Sequence, residues 1–427
     1  MVKKGYKQTE IGVLPEDWAI KKLINLSDGG MQNGTFYEGS RKGTGVYFLN
    51  VGNLYQTAPI IPQTLGKFDA SKDEIDRFRV KNGDLFFTRS SIVPSGIAYC
   101  NWYKDSGDNT TVFDSHVVRF KTDTDQVNPM YLYLQCVSQE SRNYFISNAK
   151  VATMTTIDQA QIGNCLIPVP SLTEQKNIAE AISDADRIIR LLEKLIIKKK
   201  AIKQGAMQEL LTGKRRLPGF EGAWKTKNLR EYCTLVTKQT GFDYSAYIKP
   251  ALITQKMPNT LPMIQTINFR GRKFAFGTDY YIPKAVALQF PNIVLNEKCV
   301  LFSIVGASVG NVGLYPGGTT AFCGGAIGIT RFHNEQDAEW VYNYMISPDG
   351  QAQIQYVTKG GAQATVTIAD IRNFKIPTPE KNERDAISSI LENMDHEIEV
   401  LEEKLAKYRQ VKQGMMQQLL TGKIRLV

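Results

Sequence analysis

The chain has 427 residues, a net charge of +10, and 42% apolar and 22% charged residues. Its length exceeds what one core fills and predicts about two to four domains, while its composition excludes a disordered chain. Polar residues follow Met1-Val2-Lys3-Lys4, and no apolar run reaches the roughly 18 residues of a membrane span, so neither a secretory leader nor a membrane anchor is expected.

From about Leu14 to Pro168 the apolar runs are short and punctuated by glycine, as strands are, with short helices between them. Leu14-Pro15-Glu16-Asp17-Trp18, with Leu23 five residues after the Trp, is expected to anchor a first strand to the core by packing. Lys81-Asn82-Gly83-Asp84-Leu85-Phe86-Phe87-Thr88-Arg89-Ser90 reads as a turn and a buried strand that emerges into a polar loop. Pro129–Glu140 reads as a short helix, Lys150–Thr156 as a polar loop, and Ile167-Pro168-Val169-Pro170 as a Pro-rich hinge. Ser171 and Glu174 then form an S-x-x-E capping box. After it Ile178, Ile182, Ala185, Ile189, Leu192 and Ile196 alternate by four and three, a heptad seam, until Gly213 stands where a helix stops.

The same order then repeats. Residues 155–217 realign without a gap on 364–426, an offset of 209, and Lys203-Gln204-Gly205 to Leu210-Leu211-Thr212-Gly213-Lys214 falls on Lys412-Gln413-Gly414 to Leu419-Leu420-Thr421-Gly422-Lys423. A second mixed segment runs from about Leu217 to Pro377, opening on Trp224 and Leu229, with Asn296–Gly306 as the counterpart strand and turn. Ala338–Ile346 reads as a short helix, Lys359–Thr365 as the second polar loop, and Thr378 as a helix cap before Pro379. Ile387, Leu391, Met394, Ile398, Leu401, Leu405 and Tyr408 continue the second seam. A period this long means a duplicated domain, not a short-repeat solenoid. Each long helix would leave its stripe wet alone, so the economical partner is the other copy, antiparallel, through a pseudo-twofold axis that could match duplex DNA. The fold class is therefore α+β, with mixed domains over 1–168 and 214–377 and helices over 169–213 and 378–427 forming an antiparallel coiled coil. Arg425-Leu426 matches Arg216-Leu217, which runs on into Pro218 as Leu14 runs into Pro15, so the chain's two ends are expected to meet.

Catalytic signatures are missing. The six cysteines (100, 136, 165, 233, 299 and 323) form no C-x-x-C pair, which suits reduced cysteines in a cytoplasm, and the three histidines are scattered, so no metal site is expected. No acidic-or-Asn–Pro–Pro–aromatic tetrapeptide of a methyltransferase occurs. The two Thr-Gly-Lys sites continue into Arg215 and Ile424 and lack the last residue of a P-loop. Glu193-Lys194 and Glu403-Lys404 lie on the helices as solvated charges. The basic excess favours nucleic acid or another acidic partner. Donor side chains on loops are the candidate DNA contacts: Arg89, Ser90 and Ser91 after the buried strand, where an Arg can reach a guanine with two bonds, and Ser303, Gly306 and Ser308 in the second copy. Lys150, Thr153 and Thr155 pair by sequence with Lys359, Gly360, Gln363 and Thr365, and Arg270, Arg272 and Lys273 form a basic run. Lys198, Lys199 and Lys200 lie on the helix and face either a DNA backbone or water. Each of these is also consistent with an ordinary solvated loop or helix face.

The two mixed domains alternating with two copies of one helix resemble the specificity subunit of type I restriction–modification enzymes, over nearly the whole chain. The resemblance is carried by Ile167-Pro168-Val169-Pro170 with Glu174-Gln175 and Ile178, by the repeated helix ending, by Gly83-Asp84-Leu85-Phe86-Phe87-Thr88-Arg89, and by Leu217-Pro218-Gly219-Phe220. The second domain departs from the strand pattern, with Ile304 at the position of Arg89. The resemblance implies a non-catalytic subunit whose two target recognition domains bind the halves of a split, asymmetric target on double-stranded DNA. The helices between them would leave about five to eight base pairs unread. It further implies docking of two modification (methyltransferase) subunits, which carry S-adenosylmethionine, and through them restriction subunits using ATP and Mg. A coiled-coil scaffold whose end domains bind protein or glycan is the competing reading from the residues alone.

Overall fold

A computed structural model describes residues 4–107, 109–358 and 364–427. The chain divides into two compact units, Met1–Leu192 with Lys404–Val427, and Glu193–Glu403. Each combines one mixed domain with stretches of both long helices, which run Leu172–Leu210 and Lys381–Leu419. No helix among the described residues is long and apolar enough to cross a membrane.

The first unit is built on a four-stranded antiparallel sheet in the order Ser27–Asn33, Val117–Thr122, Leu85–Thr88, Cys100–Trp102. The uninterrupted apolar run Leu85-Phe86-Phe87 follows from burial on both faces. Leu85 and Phe87 enter the core that holds the helix ends, and Phe86 enters a second core with Leu49 and Phe113. The second unit repeats the arrangement, with strands ordered Cys233–Lys238, Ile327–Phe332, Cys299–Ser303, Val312–Tyr315. Val300 and Phe302 face the core with the helices, Cys299 and Leu301 the core on the other side.

Ile167-Pro168-Val169 is a strand, not a hinge. Leu166–Val169 pairs antiparallel with Ala19–Lys22, and Lys375–Thr378 with Lys225–Asn228. Both ladders are two-stranded, so every strand is an edge and the N–H groups absent from Pro168 and Pro377 cost no interior bond. The same pairing removes Thr378 from the cap position: it ends the strand, its hydroxyl bonds to the Tyr232 hydroxyl at 2.5 Å, and the helix starts only at Lys381. At the first helix the capping box is half used. Ser171 Oγ accepts from the Glu174 N–H at 3.3 Å, but the Glu174 carboxylate goes elsewhere.

That carboxylate, 1% exposed, accepts from Arg425 Nε at 2.6 Å and Nη2 at 2.8 Å, and from Trp18 Nε1 at 3.1 Å. In the second unit Glu383, with no exposed side-chain surface, accepts from Arg216 Nε at 2.7 Å, Nη2 at 2.8 Å and Trp224 Nε1 at 3.1 Å. Glu383 and Arg425 are the 209-residue counterparts of Glu174 and Arg216, so the end of each helix copy is clamped to the start of the other. Arg425 also holds Asp17, and the Tyr6 hydroxyl donates to the Gly422 carbonyl at 3.0 Å, so the chain's two ends do meet. Both helices finish alike: Gly213 (φ 72) and Gly422 (φ 66) take the left-handed conformation, and the N–H groups of Arg215 and Ile424 reach back to the carbonyls of Glu209 and Gln418.

Within each unit the helices run antiparallel. Asp186 pairs with Lys412 in the first unit; Lys199 pairs with Glu397 and Lys203 with Asp395 in the second. The pairs Asp186–Lys412 and Asp395–Lys203 are repeat counterparts of each other. Ile178, Ile182, Ile189, Leu192, Ile196, Ile387, Leu391 and Ile398 are buried along the seam. Leu401 and Leu405 are only half-buried. Ile178 and Ile387 gain cover from a domain core as well as from the partner helix, whereas Leu401 and Leu405 belong to neither core.

Candidate nucleic-acid interface

In the first unit the buried strand Leu85–Thr88 delivers Arg89 to the surface, where its side chain is exposed. Burial of Asp84 at the strand's start pushes its carboxyl up to about 6, against the Lys81 N–H that donates to it at 2.8 Å. After Arg89, Ser90–Ser91 forms a short strand against Thr155–Thr156, which in turn pairs with Lys150–Val151. Three segments, with paired residues up to 66 positions apart (Ser90 and Thr156), thus form one small sheet that gathers Arg89, Ser90, Ser91, Lys150, Thr153 and Thr155. Arg89 and Lys150 line one cleft of about 360 Å³ with Asn33, Asp158 and Gln159. Its wall is fixed by Gln159 Nε2 donating to Asn33 Oδ1 at 2.7 Å. Arg142 pins the loop beyond Ser91, donating to the carbonyls of Ala98 at 2.7 Å and Ser95 at 2.9 Å. Thr155 is buried, so it shapes the sheet and presents no hydroxyl to a ligand; Thr153 is exposed.

The second unit pairs the corresponding loops. Val305 bridges Thr365, Gly306 N–H donates to the Ala364 carbonyl at 3.1 Å, and Val366 N–H donates to the Ile304 carbonyl at 3.0 Å. The last bond is the counterpart of Ile157 N–H to the Arg89 carbonyl at 3.1 Å, which places Ile304 in the position of Arg89. Ile304 is buried where Arg89 is exposed, so the two units present different chemistry at one place. Ser303 is buried beneath this loop and offers nothing to a ligand, while Gly306 and Ser308 form a half-buried turn closed by Asn311 N–H on the Ser308 carbonyl. Lys359, Gly360 and Gln363 lie outside the described residues.

The basic run forms a tight hairpin, Phe269–Arg270 against Lys273–Phe274. Arg270 is exposed, but its neighbours' charges are answered inside the unit. Arg272 donates to Asp395 at 2.8 Å and Glu339 at 2.6 Å, and Lys273 pairs with Glu402. A cation already neutralised by a carboxylate has little left for a phosphate, so Arg272 and Lys273 tie the hairpin to its own unit. Lys199 and Lys200 are similarly engaged by Glu397 and Glu402, whereas Lys198 is exposed.

Sequence reasoning passed over the apolar rim of the first sheet. Ile92 is 85% exposed, and Val93, Val151 and Met154 are exposed beside it. Apolar groups between Arg and Lys donors can contact thymine methyls, but a sequence pattern does not distinguish an exposed Ile from a core one. Among the described residues no group of three or more His, Cys, Asp and Glu could hold a metal ion.

Comparison with known proteins agrees with the internal repeat. The model of the type I restriction modification DNA specificity domain matches twice, over residues 15–200 and 224–408. A Methanocaldococcus jannaschii protein provisionally named type I restriction enzyme MjaX specificity subunit is 25% identical over 99% of this chain and 97% of its own length. The MjaVIII specificity subunit of the same organism is 24% identical over 74% of this chain and 75% of its length. Among solved structures, the type I restriction-modification S subunit from M. genitalium superposes with a TM-score of 0.57 at 13% identity, over 94% of this chain and 96% of that one.

Proposed function

Because the chain belongs to the type I restriction–modification DNA specificity family, with two copies of its domain, we propose that it reads a bipartite, asymmetric target on double-stranded DNA. Residues 1–168 contribute the reader of one half-site and 214–377 the reader of the other. The long helices, over 169–213 and 378–427, set the number of unread base pairs between them. Two modification subunits dock on this chain and recruit restriction subunits, in the cytoplasm. This chain supplies recognition only. S-adenosylmethionine belongs to the modification subunits, and ATP with Mg to the restriction subunits.

The observation that carries the proposal is the repeated loop pairing at the same end of the same sheet. Ser90–Ser91 meets Thr155–Thr156 in one unit, and Val305 meets Thr365 in the other. Two readers of one design but different surface residues suit a target whose halves differ in sequence. Arg89, Ser90, Ser91, Lys150 and Thr153 are the proposed contacts of the first reader. Arg270, Gly306, Ser308 and Thr365, with Lys359, Gly360 and Gln363, are those of the second.

Methylome sequencing of cells expressing the chain with its modification partner tests this. A split motif that appears only when the chain is present is expected. No motif, or an unsplit one, would contradict the proposal. The scaffold reading makes a different prediction: a chain that neutralises several phosphates loses orders of magnitude in duplex affinity between about 50 and 200 mM salt, and a protein or glycan scaffold does not.

A further inference from the structure

The apolar rim of the first reader is assembled from two distant loops. Ile92 and Val93 come from one, Val151 and Met154 from the other, and the antiparallel pairing of Ser91 with Thr155 brings them side by side. Single exposed apolar residues are ordinary, but a cluster drawn from separate segments marks an interaction surface. Side chains alternate across this small sheet. Thr155 is buried on its inner face, while Lys150 and Thr156, paired one residue along, are exposed on its outer face. The same alternation puts Met154 and Ile92 outward with Lys150.

The loop that carries Ile92 is braced from behind. Ser91 Oγ accepts from the Val93 N–H at 3.3 Å, and the Gly96 N–H donates to the Val93 carbonyl at 3.0 Å. The Thr88 hydroxyl donates to the Gly96 carbonyl at 2.8 Å, and a Cβ at Gly96 would collide with Ser91 Oγ. With Arg142 on the carbonyls of Ser95 and Ala98, the loop holds Ile92 out in water, already ordered before it meets a partner. The second unit lacks this feature. Val305 bridges Thr365 as Ser90 pairs with Thr156, so Ala307 is the counterpart of Ile92. Ala307 is exposed too, with one methyl where Ile92 has a branched chain.

The charges around the rim select what covers it. Arg89 and Lys150 are exposed at its edge. Asp158, the carboxylate in their cleft, is turned to its own helix, accepting from the Gln161 N–H at 2.7 Å. Such a surface fits a polyanion that carries apolar points on its reading face. In the major groove of duplex DNA that point is the C5 methyl of thymine. We propose that Ile92 is a specificity-determining residue of the first half-site, packing on the methyl of one thymine beside the contacts of Arg89 and Lys150. This inference rests on the DNA-recognition reading above.

The test uses the full chain with its modification partner. A random-sequence duplex library gives the wild-type motif, whose first half-site is expected to require thymine. Each such thymine is then replaced by uracil, which lacks only the methyl, and binding is titrated. At one position uracil should weaken wild type roughly fourfold, the value of one buried methyl-sized group. This arm needs no variant to fold. Ile92→Ala should lose at least as much on the thymine duplex, no longer distinguish thymine from uracil there, and leave the second half-site unchanged. The inference is overturned by a first half-site without thymine, by equal wild-type binding to both duplexes at every position, or by discrimination that survives in Ile92→Ala. Lost assembly of Ile92→Ala with the modification partner, with discrimination intact, would assign the rim to protein contact and overturn it as well. A wild-type chain that selects no split site would defeat the underlying functional reading, and this inference with it.

Discussion

Arg425→Ala removes the partner of Glu174, a carboxylate with 1% of its side chain exposed. Arg425 gives Glu174 two bonds, at 2.6 and 2.8 Å, and Asp17 two more, at 2.9 and 2.7 Å. Asp17 is well exposed and loses little. Among the described residues Glu174 keeps only the Trp18 indole N–H. Stripping one partner from a buried pair costs about 3–5 kcal/mol. The vacated Arg site admits some water, so the lower end, about 3 kcal/mol, applies. For a body the size of the first unit each kcal/mol is worth about 2–4 °C, which gives a fall of roughly 6–12 °C in its thermal transition. A double variant, Glu174→Leu with Arg425→Leu, should recover most of the loss, because an apolar pair leaves no buried charge unpaired. Calorimetry of the full chain reads both. A fall below about 2 °C for Arg425→Ala, or a double variant as unstable as the single, would show that the clamp is a surface decoration and would refute the reasoning.

Three further outcomes are expected. Arg89→Ala should cost about 1–3 kcal/mol of binding and relax one position of the first half-site, whereas Lys150→Ala should weaken all sequences alike and lower the salt slope by about one; fluorescence titration across salt concentrations on cognate and substituted duplexes separates them. Glu74 is held down at about 2 by Arg41, whose guanidinium bonds to it, with help from Thr35. Its folded value lies below its unfolded one, so its contribution is present above about pH 4.5 and is lost as pH falls toward 2. After solvent screening that contribution is about 1 kcal/mol, and Glu74→Gln should flatten the acid limb of a stability–pH curve by that amount; an unchanged limb contradicts it. Leu391→Ala, fully buried in the core of the second unit, should cost about 2–5 kcal/mol in that unit's denaturant transition alone.

The duplication was legible because it needs no physics beyond alignment, and the heptad seams because two 39-residue helices carry the period long enough to stand out. Leu85-Phe86-Phe87 was legible as a strand since burial on both faces leaves a continuous apolar run. Errors gathered where a distant partner decides the local state. Pro168 and Thr378 look like hinge and cap until Ile20 and Lys225 are known to pair with them. Glu174 fits a capping box until Arg425, 251 residues away, claims its carboxylate. Arg272 and Lys273 read as free charge because Asp395 and Glu402, their acceptors, lie 123 and 129 residues further along the chain.

The central claim is that two independent readers share one chain. Replacing residues 1–168 with the equivalent segment of another specificity subunit, then sequencing the methylome with the same modification partner, tests it most directly. One half of the split motif should change while the other half stays as it was. A change in both halves, or in neither, would contradict the account.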